Sequence, residues 1–295
     1  MEMVPVVKKD LKELVRVVRL ASPGLDYVDA DVLEDQTLLD PGYDPSYLLK
    51  AMDKKVCVGM ALGVARGLGP SKTGFIKYFG VAPKFRRRGT ARALFSELER
   101  RFQKRGVTEL KIGECPAPYL KCGIDVTDTA SVCFLLRRGY QRGDTLIDMT
   151  ASLSKWKPTD SPEEKALAKT HGVKKATAAD AGPLMEMVNK AFPSWSLEVE
   201  RGLKRGVVFI ARDKGAVTAF ACGNATLPGF FGPMGTLESH RKTGMGRLLL
   251  RRTLEAMKSS GVKTARIPWI GPVPFYAKHA GAVLGPVAWP FTKKL

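Results

Sequence analysis

The stretch Phe79-Gly80-Val81-Ala82-Pro83-Lys84-Phe85-Arg86-Arg87-Arg88-Gly89-Thr90-Ala91-Arg92 decides the architecture. It reads as the end of an apolar strand, a basic turn, and the start of a helix whose apolar positions Leu94, Leu98 and Phe102 keep helical spacing. The first turn of such a helix carries backbone N–H groups without intrahelical partners and the positive end of the helix dipole. Gly89 and Ala91 leave room there for a phosphate, and the arginines add charge. The design recurs at Met234-Gly235-Thr236-Leu237-Glu238-Ser239-His240-Arg241-Lys242-Thr243-Gly244-Met245-Gly246-Arg247, followed by Leu248, Leu249, Leu254 and Met257. Neither copy has the GxGxxG dinucleotide fingerprint or the GK[ST] of a P-loop.

Sliding Ile76–Ile112 by 155 residues onto Phe231–Ile267 aligns Gly80, Arg86, Gly89, Arg92, Leu94, Gly106, Val107 and Ile112 with Gly235, Arg241, Gly244, Arg247, Leu249, Gly261, Val262 and Ile267. Average composition gives about two chance matches over that length, so the chain reads as a tandem duplication. Beyond it Phe134 and Gly139 align with Tyr276 and Gly281, which leaves the second copy 13 residues shorter in the intervening loop. Each copy opens with a short strand (Val4–Val7; Gly172–Ala176) and an amphipathic helix, Asp10–Ala21 in the first and a helix capped by Thr177 in the second. Hairpins follow at Val56–Val64 with Gly74–Val81 and at Val207–Ala211 with Ala216–Cys222. The polar stretch Lys155–Lys169, with Pro158 and Pro162, suits a linker, so the predicted organisation is a domain at 1–153, a linker at 154–169 and a domain at 170–295.

At 295 residues, with 44% hydrophobic and 26% charged residues, the chain is long enough for two globular cores and is not disordered. No window approaches 18 uncharged apolar residues, and Met1–Asp10 carries charges where a secretory leader needs apolar residues. A cytoplasmic protein with no membrane partner is expected. Five cysteines without a CxxC pair or a neighbouring histidine predict reduced thiols and no metal. The net charge of +19 favours anionic ligands of any kind.

The Arg-x-x-Gly-x-Gly/Ala pattern after a strand, with a long helix, a strand and a helix ending in aromatic-x-x-x-x-Gly, resembles the GCN5-related N-acetyltransferase (GNAT) superfamily. It occurs twice, in a tandem arrangement similar to that of mycothiol synthase. The resemblance implies an α/β fold: two tandem GNAT domains, each a mixed, mostly antiparallel sheet flanked by helices, with two parallel strands splayed apart. It implies acetyl-CoA as co-substrate and a small-molecule or peptide amine as acceptor, acetylated by direct attack in a ternary complex. Carried over residue by residue, Phe79, Gly80 and Val81 and Met234, Gly235 and Thr236 would bond pantetheine. Arg86, Arg87, Arg88, Gly89, Thr90 and Ala91, and Arg241, Lys242, Thr243, Gly244, Met245 and Gly246, would hold the pyrophosphate.

Family members use a tyrosine to protonate the departing thiolate, and the motif position holds Tyr276 in the second copy but Phe134 in the first. A phenol donates a proton and benzene does not, so Tyr276 is the expected catalytic residue and the second domain the expected catalytic one. The reverse assignment, with the first domain active, is the alternative. Some relatives place a glutamate where this chain has Phe75 and Phe230, which leaves Glu238, His240 or a water chain as base. Glu114 and Asp125 are strand-end carboxylates able to hold an amine or simply hydrated. From Leu20 to Leu49 the acidic run Asp26, Asp29, Asp31, Glu34, Asp35, Asp40 and Asp44, without Lys or Arg, would attract a cationic amine or act as a solvated loop. Phe192, Trp195 and Trp269 suggest an apolar or sugar-stacking wall, with core packing as the other reading. A CoA-binding sensor without turnover, and a nucleic-acid- or ribosome-associated protein whose partner is an acidic macromolecule, are the readings from other classes; the latter would bind with steep salt dependence.

Overall fold

The computed structural model describes residues 2–67, 72–154, 156 and 160–295. Lys155 and Pro158, part of the expected linker, lie outside them. The chain forms two compact units: Met1–Thr145 joined by Ala288–Leu295, and Leu146–Val287.

In the first unit come β1 (Glu2–Pro5), α1 (Leu11–Ala21), α2 (Ala30–Gln36), β2 (Leu48–Asp53), β3 (Val56–Arg66), β4 (Thr73–Val81), α3 (Thr90–Lys104), β5 (Glu109–Ile112), β6 (Ile124–Asp125), α4 (Thr129–Arg137) and β7 (Gln141–Arg142). The second holds β8 (Leu146–Ser152), α5 (Pro162–Thr170), β9 (Lys174–Lys175), α6 (Ala181–Ala191), α7 (Ser196–Arg205), β10 (Val207–Asp213), β11 (Ala216–Gly223), β12 (Phe231–Thr236), α8 (Met245–Ser259), β13 (Thr264–Ile267) and α9 (Val273–Ala280). The strand β14 (Val283–Trp289) leaves the second unit after Val287, and β15 (Phe291–Lys294) ends the chain.

The first unit's sheet runs β1-β2-β3-β4-β5-β15-β7. Its pairings are antiparallel except β4 with β5, which run parallel over Thr73–Ile76 and Glu109–Ile112. In the second unit β9, β10, β11 and β12 pair antiparallel, and Phe230 makes a parallel bridge to Arg266. That bridge repeats the pairing of Phe75 with Lys111 at an offset of 155 residues. The two copies therefore share their parallel strand root, as duplication requires.

The units are divided differently from the sequence-based spans, because strands change places. The strand beside β5 is β15, from the end of the chain, and the strand beside β13 is β8, which precedes α5. Equivalent edges in a duplicated fold offer the same backbone ladder, so either copy's last strand satisfies either edge. The stretch expected to be linker contains α5, started by Ser161, whose side chain accepts from Glu164 N while the Glu164 carboxylate accepts from Ser161 N.

Packing fixes α3 over the first sheet. Its buried residues Leu94, Phe95, Leu98 and Phe102 make one face, each contributing about 1.5–3 kcal/mol by leaving water. Phe102 stacks on Tyr47 with ring centroids 4.0 Å apart. The absence of a side chain at Gly63 admits the ring, since a Cβ there would sit 2.8 Å from Phe102 Cζ. Below the sheet Asp40 holds two cations: Arg66 bidentately at 2.7 and 2.8 Å, and Lys77 Nζ at 2.8 Å, with Lys77 and Asp40 side chains each 2% exposed. Burial alone would raise the Asp40 carboxyl, but the Arg66 bond and the Lys77 charge hold it below the usual range.

Asp40→Ala should therefore destabilise the protein by about 3–5 kcal/mol in chemical denaturation at neutral pH, because it strands a buried lysine. The native carboxyl is depressed, so its stabilisation is present at neutral pH and is lost as pH falls through its folded value. Wild-type stability should drop more on acidification than that of the variant.

Candidate active site

Both basic turns fold alike. Arg86 and Arg241 are extended at φ −70° and −71°, Arg87 and Lys242 are left-handed at φ 62° and 63°, and Gly89 and Gly244 open α3 and α8 at φ 84° and 89°. An L side chain is strained in that last conformation, which explains the two glycines. Arg86 Nε donates to Val81 O at 3.0 Å, and Arg241 Nε donates to Thr236 O at 3.2 Å. These two arginines brace the turn against the strand that precedes it.

The copies differ in what faces each mouth. In the first unit a Cβ at Gly89 would meet nothing within 4 Å, and a cleft of about 1070 Å³ opens in front of it. The cleft is walled by Phe79–Val81 of β4, the start of α3, and Phe134 and Arg137 of α4. Beyond the Ile76–Ile112 pair β5 has ended, so the edge of β4 at Phe79–Val81 that faces away from β3 has no strand partner. The first α3 ladder bond runs from Ala93 N to Gly89 O. That leaves the amides of Thr90, Ala91 and Arg92 without intrahelical partners. Arg87, Arg92 and Arg137 line the cleft, and among the described residues none of them forms an ion pair.

In the second unit the corresponding space is about 530 Å³. Thr243 Oγ1 donates to His240 O at 2.9 Å and accepts from Met245 N at 3.4 Å, so one helix amide is already engaged. Arg247, the counterpart of Arg92, pairs with Glu164 of α5 at 2.9 Å, and Arg251 bonds the same carboxylate. Leu167 of α5 comes within 3.7 Å of a Cβ placed on Gly244, and Met234 and Phe275 approach Gly246. The helix from the expected linker thus packs beside the start of α8 and supplies a carboxylate to Arg247 and Arg251.

Tyr276 does not line this space; Phe275 and His279 do. Tyr276 is buried among the core residues of the second unit, with Phe231 at a 6.2 Å centroid separation, and burial pushes its phenol up to about 12. The helix caps explain the displacement from the motif position. Tyr140 N donates to Leu135 O at the end of α4, whereas Ala282 N donates to Tyr276 O at the end of α9. The buried Tyr276 thus stands where buried Leu135 does, and Phe275 stands where Phe134 does, because α9 meets its glycine one residue later.

The other sequence candidates resolve into local structure. His240 Nε2 lies 3.2 Å from Asp213 Oδ2, and Glu238 is exposed. Asp125 Oδ1 accepts from Thr127 N at 2.8 Å, and Glu114, left-handed at φ 51°, lies 4.0 Å from Lys111. In the acidic run Asp29 accepts from Val32 N, Glu34 pairs with Lys8, Asp40 holds Arg66 and Lys77, and Asp44 accepts from Ser46 N and pairs with Arg105. The run is mostly internal wiring rather than a lure for a cation. Phe192 and Trp195 stack at 5.2 Å and pack on Phe220 in the core, whereas Trp269 is exposed. The sequence reading missed Lys121, Ser22 and Asp128, which line the inner end of the first cleft. Lys121 lies in the loop by which the first copy is longer, so comparison of the copies had no counterpart to flag.

Residues 14–119 match the profile of the acetyltransferase (GNAT) family. Over nearly its whole length the chain has the fold of GNAT proteins. Three solved structures share its fold over 99% of its length. A GCN5-related glucosamine N-acetyltransferase region of a fungal multi-domain GH3 β-N-acetylglucosaminidase is 15% identical at a TM-score of 0.79, and this chain spans only 38% of that one. A GCN5-related N-acetyltransferase from Sphaerobacter thermophilus is 15% identical at 0.71 over 95% of its length. A tandem GNAT protein from the clavulanic acid biosynthesis pathway is 16% identical at 0.70 over 98% of its length. No curated protein matches the sequence. Among the described residues no helix is long and apolar enough to cross a membrane, and no group of three or more His, Cys, Asp or Glu is placed to hold a metal ion.

With its ring packed in the core of the second unit and Tyr276 absent from the lining of the space at Gly244, Tyr276→Phe should leave acetyl-CoA binding unchanged and shift stability by less than about 1 kcal/mol. Calorimetry and thermal unfolding of the variant check both.

Proposed function

We propose that this chain is an acetyl-CoA-dependent N-acetyltransferase whose co-substrate lies in the first unit, with a primary amine of a small molecule or peptide as acceptor. The observation that carries this reading is the contrast between the two helix mouths. Gly89 opens onto a large cleft with unengaged amides and unpaired arginines, whereas Gly244 faces Leu167 and an arginine held by Glu164. The sequence-based expectation favoured the second unit because of Tyr276; its burial, and its absence from the lining of the space at Gly244, favour the first.

The assigned roles follow from the chemistry of each group. The amides of Thr90, Ala91 and Arg92 and the guanidinium groups of Arg87, Arg92 and Arg137 take the diphosphate; the helix dipole adds about 0.3–2 kcal/mol for an anion there. This reading assigns Arg87, Gly89, Thr90 and Ala91, which line the cleft, to the phosphates, and Arg86 to bracing the turn. The free edge of β4 at Phe79–Val81 bonds the pantetheine amides, the same ladder chemistry that holds a strand. A β4 N–H pointing at the thioester oxygen stabilises the charge that develops there when a neutral amine attacks. The second unit contributes structure, with the Arg241–Gly246 turn preserved in backbone form and Arg247 held by Glu164 of α5.

Isothermal titration of the whole chain with acetyl-CoA should give one site. Gly89→Trp, which adds about 1–2 kcal/mol of left-handed strain and fills the mouth, should abolish binding. Gly244→Trp should retain it. Loss confined to Gly244→Trp, or two equivalent sites in the wild type, would place the co-substrate elsewhere.

A further inference from the structure

The first copy is longer than the second between its last parallel strand and the helix that follows, and that extra loop returns to the cleft. After Ile112, Gly113 turns at φ 84°, and a Cβ there would sit 2.1 Å from Cys122 O, so only glycine lets the chain come back this close. Glu114 N donates to Cys122 O at 2.9 Å, and Tyr27 Oη donates to Leu120 O at 3.1 Å. Just beyond, Ile124 and Asp125 pair with Trp289 and Ala288. Lys121 is thus held from both sides. Together with Ser22, Tyr78, Phe79, Gly113 and Asp128 it lines a narrow recess between the diverging strands β4 and β5. Ser22, Phe79, Asp128 and Ser131 line both this recess and the large cleft, so the recess is the inner end of that cleft. In the second unit only the short stretch Pro268–Pro272 joins β13 to α9, and it brings no lysine.

We propose that Lys121 donates the proton taken up by the departing CoA thiolate. The assignment rests on the first-unit reading: with the diphosphate at Gly89 and pantetheine along Phe79–Val81, the thioester end reaches the mouth of the recess, whose volume of about 20 Å³ leaves the sulfur outside it. The acceptor nitrogen forms its bond to the acetyl carbon, and the C–S bond breaks with its electron pair on sulfur. A proton moves from Lys121 Nζ to that sulfur, giving the CoA thiol. The new amide loses its surplus proton to water, and Lys121 regains one from solvent.

The charged and titratable groups around Lys121 are few. Asp128 and Asp125 precede α4; the first accepts from Ser131 N at 3.1 Å and the second is tied to Thr127. Lys77 on β4 is committed to Asp40. Tyr78 on β4 lies 3.2 Å from Ser22 Oγ, and burial pushes its phenol up to about 12, which makes it the poorer acid. Burial pulls the Lys121 ammonium below its usual value, against the opposing charges of Asp128 and Asp125, and Lys121 forms no ion pair among the described residues. A thiol ordinarily titrates near 8.5, so lowering this ammonium brings proton transfer to a thiolate nearer to matched.

The test needs no acceptor. CoA is bound to the full chain, and the ultraviolet absorbance of its thiolate is titrated against pH, with desulfo-CoA complexes subtracted to remove the protein's own cysteines. A cation beside the sulfur should lower the thiol pKa of bound CoA by about one to three units relative to free CoA. Lys121→Met and Lys121→Gln should lose that shift while calorimetry shows CoA still bound, and Lys121→Arg should keep it. A bound thiol that titrates as in free CoA in the wild type, or identically in wild type and Lys121→Met, overturns the assignment alone. Failure of wild-type protein to bind CoA overturns the first-unit reading and this assignment with it.

Discussion

Two parallel strands joined only at their root govern this molecule. Where Thr73–Ile76 and Glu109–Ile112 pair, the sheet is continuous; past Ile76 the strands part, and among the described residues the outer edge of Phe79–Val81 has no strand partner, its Val81 O being taken by Arg86. Unpaired peptide groups inside a protein are costly unless a partner arrives. The cleft in front of them, the helix mouth at Gly89 and the arginines around it supply a shape and a charge for one long, polyanionic partner. Packing serves that arrangement: Phe102 on Tyr47, over Gly63, sets the height of α3 and hence of its first-turn amides.

Duplication produced a second copy of the same wedge and then an asymmetry of surroundings. The backbone of the basic turn survives in both units to within a few degrees. The surroundings do not, because α5 brings Glu164 and Leu167 against the start of α8. A carboxylate between Arg247 and Arg251 provides internally the negative charge that the first unit leaves to its ligand. The exchange of β8 and β15 ties the two copies into one folding problem, since each unit's sheet is completed by a strand that sequence order assigns to the other.

Much of this was legible in the residues. The glycine and arginine spacing located both turns, and identities at one offset exposed the repeat. Apolar periodicity placed α1 at Leu11–Ala21 against an expected Asp10–Ala21. Strand exchange was not legible, because equivalent edges have equivalent hydrogen-bonding and hydrophobic patterns. Nor was the helical character of the linker, whose polar residues Ser161, Glu163 and Glu164 signal both a loop and a helix start. Tyr276 was misplaced relative to the cleft because counting back from a glycine assumes equal helix caps, and those of α4 and α9 differ by one residue. The acidic run read as a binding surface until its partners, contributed by Lys8, Arg66, Lys77 and Arg105, came into view. Distance along the chain hid all four.

The central claim is that one wedge of the two receives the co-substrate. Amide hydrogen exchange read by mass spectrometry, with and without saturating acetyl-CoA, tests it most directly. The account predicts new protection over Phe79–Arg92 and none over Met234–Arg247. Protection confined to Met234–Arg247 would contradict it.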